Sequence, residues 1–299
     1  MTRCNSEVDG TVRIKEGTSP RELFARVSLC PEAFCFRVFY YLTMSGLKSF
    51  SHKYARWFLP FSLLLGLVLW QAIAWLGGLP AFILPTPGQV ALRFWEALLS
   101  GTLLYHTAST LLEVVLGLLL GSGLATVTGY ALAKSQALER LISPYLVASQ
   151  AIPVVAIAPL LVIWFGPGLF SKVLVCALIV FFPVLVNTVV GLRAVPQNLR
   201  DLMGALRASP AQTLRYLEVP AALPVLLGGL RVGATLSVIG AVVGEFVGSD
   251  RGLGFLVNVA RGQYDTAMVF VAVITLIVLA LALYGVVVLV EKKLLKWNV

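Results

Sequence analysis

Long apolar runs separated by short polar links set the pattern of this chain. The runs cover about 57–76, 109–133, 145–165, 173–190, 223–247 and 266–290. Each is close to the roughly 20 residues an α-helix needs to cross the apolar core of a bilayer, so the pattern predicts an all-α polytopic membrane protein with six transmembrane helices. Between the first two runs, LPAFILPTPGQV is broken by prolines and leads into a short amphipathic helix bearing Arg93 and Glu96. In the second run Gly117, Gly121, Ala125 and Gly129 recur every four residues. Small residues in that register let helix backbones approach, which places this helix inside the bundle. Pro153 and Pro159 interrupt the third run, with Ser149 and Gln150 one turn earlier, and the fourth carries Pro183 and Asn187. A proline leaves a helix carbonyl without its donor. Within a membrane that carbonyl needs protein or a lined cavity, so Ser149, Gln150, Pro153 and Asn187 are candidates for a solute pathway.

One polar stretch, Asp201 to Pro224, separates the fourth and fifth runs. Leu199, Leu202, Met203 and Leu206 fall at i, i+3, i+4 and i+7, giving one apolar stripe on a short helix with Arg200, Asp201 and Arg207 off it. A second helix starts at Ser209: serine as cap, Pro210 in the first position and Gln212 completing a capping box. Pro220 and Pro224 are expected to end it.

Composition agrees with the pattern. The 299 residues are 59% hydrophobic and 12% charged, with mean hydropathy +0.90, outside the range of soluble domains. The net charge of +9 reads as topology rather than as a nucleic-acid footprint, because the bases lie on the links. With the amino terminus inside, the outer links hold only Arg93, Lys172, Arg251 and Arg261, Arg231 lies within a run, and every other Lys and Arg falls inside. The positive-inside rule therefore puts both termini and the Asp201–Pro224 segment in the cytoplasm. Three charges stand close to the apolar runs. Glu113 is near an outer end and is expected to be hydrated. Arg231 is close enough to the inner end to snorkel to headgroups. Glu245 sits at an outer end before the glycine-rich GSDRGLGFLV. Arg231 and Glu245 join the pathway candidates, since ionisable residues in spans are functional candidates by default. Trp57, Trp70 and Trp75 suit interfacial anchoring. Cys4, Cys30, Cys35 and Cys176 have neither zinc-ligand nor disulfide spacing and are expected to be free thiols.

Residues 1–50 read as a separate, poorly ordered extension preceding a membrane domain over 51–299. The patch from Val27 to Leu47 contains Pro31, Glu32 and Arg37, which suits neither a span nor a signal peptide. Met44, just before Lys48, Lys53 and Arg56, is where a membrane protein of this kind would be expected to start.

The Asp201 stretch resembles the cytoplasmic EAA loop of ABC-importer permeases, E-A-A-x3-G-x9-I-x-L-P. Here that spacing reads Asp201-Leu202-Met203, then Arg207, then Leu217-Glu218-Val219-Pro220. Asp stands for Glu, Leu-Met for Ala-Ala, and Arg207 occupies the turn glycine, where an L-residue can follow the glycine's backbone only with strain. AIAPLLVIWFGPGLFSK and FFPVLVNTVVGL are similar to the nitrate, sulfonate and taurine branch of that family, and GSDRGLGFLV resembles its outer segment facing a binding protein. The resemblance implies a permease homodimer in a bacterial inner membrane, two ABC ATPase subunits using ATP and Mg, and an extracytoplasmic solute-binding protein. The coupling loop would span about 196–222, with Leu199, Asp201, Leu202, Met203, Gly204, Ala205, Leu206, Arg207, Ser209 and Pro220 as its residues. The cargo of that branch is a small polar solute such as nitrate, taurine, a sulfonate or a thiamine pyrimidine precursor.

GPGLFSK fails as a phosphate loop, because Ser171 stands where the second glycine belongs and Val173 follows the lysine. No metal or cofactor site is expected in this chain, and ATP chemistry would belong to another polypeptide. An ion-gradient transporter would need ionisable groups near the midplane or related broken helices. A membrane enzyme would need a catalytic arrangement that His52 and His106 do not supply.

Overall fold

A computed structural model describes residues 52–78, 80–150 and 153–295. The 1–50 extension, Met44, three of the four cysteines, and the side chains of Trp57, Ser149 and Gln150 lie outside the described residues. The helices in chain order are α1 (His52–Leu76), α2 (Pro87–Leu99), α3 (Thr102–Lys134), α4 (Gln136–Gln150), α5 (Val154–Phe165), α6 (Leu169–Arg193), α7 (Gln197–Ala205), α8 (Pro210–Gly248), α9 (Leu253–Gly262) and α10 (Thr266–Leu294). Among the described residues α3, α6, α8 and α10 are long and apolar enough to cross a membrane, whereas the apolar part of α1, Phe61–Leu76, and α5 are shorter.

The core is built around α6, which packs chiefly on α3 and α8. Val175, Cys176, Val180 and Val184 of α6 are completely buried. The four-residue register on α3 explains one side of this packing. Gly117, Gly121, Ala125 and Gly129 are all buried, and a Cβ at Gly121 would lie 2.6 Å from the Ala177 carbonyl oxygen. A second small-residue seam on α8 faces α6 from the other side: a Cβ at Gly240 would stand 2.8 Å from Cys176 Cα. Backbones this close maximise dispersion contacts where lipid offers no hydrophobic drive between helices.

Several element boundaries differ from the pattern. The third run is two helices, because Pro153 takes an extended conformation ahead of α5, while Pro159 continues within α5 and Pro144 within α4. Pro220 and Pro224 do not end the helix begun at Ser209, which runs on to Gly248. A π turn over Leu214–Glu218, where Val219 donates to Leu214 five residues back, immediately precedes Pro220. That wider turn absorbs the register mismatch of a residue that has no N–H to donate. Helix α3 begins at Thr102 and takes in Tyr105 and His106, and α6 begins at Leu169 and takes in Lys172. Trp70 is packed against the protein. Its ring stacks on Phe270 at 5.1 Å and its indole N–H donates to the Pro85 carbonyl at 3.1 Å. Thr86 and Gln89 form a capping box at the start of α2, with Pro87 in the first turn.

The seam yields a direct test. Gly121→Leu is expected to lower the melting temperature and the yield of detergent-extracted protein, at a cost of about 1–3 kcal/mol or more from overpacking. Gly123→Leu, with nothing within 4 Å of a Cβ at that position, should leave both unchanged in scanning fluorimetry.

Candidate functional site: the Gln197–Pro220 loop

Helix α7 follows Pro196 and presents its apolar stripe outward. Leu199, Leu202 and Leu206 are 39%, 53% and 68% exposed, with Met203 half-buried. Asp201 accepts from the Gln197 side chain at 3.0 Å on the polar side. The helix ends in a Schellman arrangement: Ala208 N–H donates to Met203 O at 3.0 Å and Arg207 N–H to Gly204 O at 2.9 Å. The residue between cap and exit in this motif is left-handed and usually glycine. Arg207 holds that position with φ +50°, so the glycine of the resembled pattern has a mechanical reason and its replacement carries backbone strain. Two residues on, Ser209 and Gln212 form the capping box read from the sequence: Gln212 N–H donates to Ser209 Oγ at 3.3 Å and Ser209 N–H to Gln212 Oε1 at 2.7 Å. The loop is therefore a short helix with an exposed apolar stripe, a strained turn and a firmly capped helix start.

Buried and half-buried charges tie this loop to the helices beneath it. Glu218, in the π turn, is 1% exposed and accepts from Lys134 Nζ, at the end of α3, at 2.6 Å. Arg200 of α7 donates to the Leu192 carbonyl at the end of α6 at 2.7 Å, with its Nη1 4.0 Å from Glu218 Oε1. Arg193 pairs with Glu139 of α4. Sequence reading set Arg200 aside as merely off the stripe and gave Glu218 no role. The Lys134, Arg200 and Glu218 charges lie far apart in the chain, and only the fold brings them together.

A second polar cluster occupies the opposite end of the bundle. Lys172 Nζ donates to Glu113 at 2.6 Å and to Ser249 Oγ at 2.7 Å. Glu113 is fully buried, not hydrated as its position near a span end suggested, because α6 starts early enough to bring Lys172 against it. Three successive backbone N–H groups at the start of α9 are taken up by side chains of α3 and α8. Gly252 donates to His106 Nδ1 at 3.0 Å, Leu253 to Thr110 Oγ1 at 2.8 Å, and Gly254 to Glu245. Thr110 in turn donates to Glu245 at 2.7 Å. Gly252 has φ +116° with the Glu245 carboxylate where a Cβ would lie, so only glycine fits. At that same end a cavity of about 310 Å³ is lined by residues including Arg93, Glu96, Gln263 and Asp265. Hydrogen bonds to Glu96 and then Asp265 raise the Arg93 guanidinium above its ordinary pKa.

Among the described residues, the pathway candidates do not converge within one chain. Glu245 is 1% exposed and occupied by Thr110 and Gly254. Arg231 pairs with Glu291 of α10. The two lie on one helix about 21 Å apart at 1.5 Å per residue. Asn187 donates to the Pro183 carbonyl at 2.8 Å and packs where Gly229 has no Cβ. Pro153 is exposed at the α4–α5 break, and none of these residues lines the cavity.

Comparison with known proteins places this architecture. Residues 117–296 match the model for "Binding-protein-dependent transport system inner membrane component". The chain belongs to that family. It is a permease, the non-catalytic membrane subunit of a binding-protein-dependent ABC importer. It is 52% identical over 240 residues to the riboflavin transport system permease protein RibX of Chloroflexus aurantiacus, covering 80% of this chain and 90% of that one. It is 37% identical over 232 residues to the putative aliphatic sulfonates transport permease protein SsuC of Bacillus subtilis, covering 78% and 84%. It is also 37% identical over 233 residues to the formylaminopyrimidine transport permease protein ThiX of Halalkalibacterium halodurans, covering 78% and 92%. The sulfonate branch expected of this permease from its sequence is thus among its relatives.

Two substitutions test this permease's geometry by thermal denaturation. Arg207→Gly should stabilise the loop by about 1 kcal/mol through relief of the left-handed strain, whereas Arg207→Val should destabilise it. Glu113→Ala, which strands a buried Lys172, should cost about 3–5 kcal/mol, with part recovered in the double variant Glu113→Ala/Lys172→Met.

Proposed function

We propose that this permease spans the inner membrane six times, with α1 and the α4–α5 pair adding two crossings to the four long helices, and works as a homodimer. Its termini and the α7 loop lie in the cytoplasm. Each loop docks one subunit of an ABC ATPase dimer, which binds ATP and Mg, and the opposite face receives an extracytoplasmic solute-binding protein. The observation that carries this reading is the outward apolar stripe Leu199, Leu202 and Leu206 on a capped helix flanked by exposed Arg207 and Arg215. A stripe of that size on a polar link suits a protein partner, and the two cations suit acids on it.

Nucleotide-driven closure of the ATPase dimer moves the docked α7 helices, and the spans alternate between outward and inward openings. This needs loop contacts that differ between the two states. The solute crosses between the two copies, in keeping with candidate residues that do not meet within one. The cargo is a small polar solute of the kind named for the relatives, and riboflavin is the first to test because RibX is 52% identical over 90% of its length.

The permease reconstituted in proteoliposomes with its ATPase and binding protein is expected to take up labelled riboflavin only with ATP. A formylaminopyrimidine and an alkanesulfonate serve as competing cargoes. Uptake that continues without ATP and collapses with an ionophore would favour an ion-gradient transporter. Leu206→Glu combined with Arg207→Glu should lower ATP-driven uptake at least tenfold while membrane insertion is retained; unchanged uptake would remove the docking claim.

A further inference from the structure

Two polar atoms beneath the loop lack partners. Arg200 Nε and Glu218 Oε2 are both buried and have no hydrogen bond among the described residues. Leaving charged groups so is costly, and these two belong to opposite charges whose nearest atoms are 4.0 Å apart. An arginine and a carboxylate pair best as a two-pronged fork at about 2.7–2.9 Å, so the fork is roughly 1 Å from closing. Each side chain is held from elsewhere: Glu218 by Lys134 at 2.6 Å and Arg200 by the Leu192 carbonyl at 2.7 Å. Glu218 also sits in a π turn, a deformable stretch of an otherwise α-helical rod.

We propose that Arg200 and Glu218 form a two-position latch between α7 and α8. Its open position has Arg200 on the Leu192 carbonyl. In its closed position the guanidinium is forked on Glu218, and nucleotide taken up by an ATPase docked on α7 drives the change. The inference rests on the docking reading above and makes Glu218 and Arg200 positioning residues for coupling. Lys134 stays on Glu218 in both positions and offsets its charge. Closing the fork satisfies both unpartnered atoms at once and locks the loop helix to the span it must move.

Spin labels at Asn198→Cys on α7 and Ala221→Cys on α8, both exposed sites, read the latch in the complete permease–ATPase complex, with Cys4, Cys30 and Cys35 replaced by Ser. The unsubstituted latch should show a distance shift of about 1–2 Å or more between nucleotide-free and ATP-trapped complexes. That shift should disappear in Glu218→Gln and in Arg200→Gln. The double variant should lose no more than either alone, and Arg200→Lys, which cannot fork, should not restore it. Arg200→Gln carries the test if Glu218→Gln does not fold. ATPase co-purification is scored on the same samples. A wild-type chain that holds no ATPase would overturn the docking reading and the latch with it. If the ATPase is bound, a shift absent from the wild type, or kept in full by either Gln variant, overturns the latch alone.

Discussion

Close backbone approach along α6 is the constraint on which the rest of the molecule depends. With buried glycines on α3 at one flank and on α8 at the other, α6 is held where a single methyl on either neighbour would collide with its backbone. In a bilayer the apolar faces gain nothing by hiding from lipid, so this fit has to supply what the hydrophobic effect supplies in water. The exposed leucines, valines and isoleucines over α3 and α10 then suit lipid on the outside of the bundle.

Once α6 is fixed between its neighbours, its two ends determine where charge can be buried. At one end it brings Lys172 against Glu113, and at the other it presents the Leu192 carbonyl to Arg200. Neither Glu113 nor Glu218 is an isolated ion in apolar surroundings. Each has a lysine at 2.6 Å, which offsets a desolvation cost that would otherwise amount to several kcal/mol. These pairs decide which helix ends travel together, since parting them would leave a bare charge inside the protein.

Much of the molecule was legible in its sequence, and the limits of that legibility have physical causes. The Gly117-to-Gly129 register predicted burial because helical period and residue size are local properties. Ser209, Pro210 and Gln212 announced a helix start for the same reason, and the suspected strain at Arg207 appears as a positive φ. Pro220 and Pro224 misled, because a proline's effect on a helix depends on whether a preceding turn can widen. Glu113 misleads because its distance to a span end carries no sign of its partner Lys172, 59 residues away in the chain. Glu218 and Arg200 carried no local signal. Their proximity is made by helix packing alone, beyond the reach of periodicity or motif.

Helix α8 carries a mechanical consequence. At 39 residues without interruption it is about 58 Å long, and its two ends do different jobs. Ser209 caps the start beside the strained turn, while Glu245, near the finish, accepts from the Gly254 amide at the start of α9. In a rod of that length, clamped at its far end and softened only at the π turn, a small tilt at one end becomes a displacement at the other. The loop end and the α9 end of this permease are therefore joined by one continuous element.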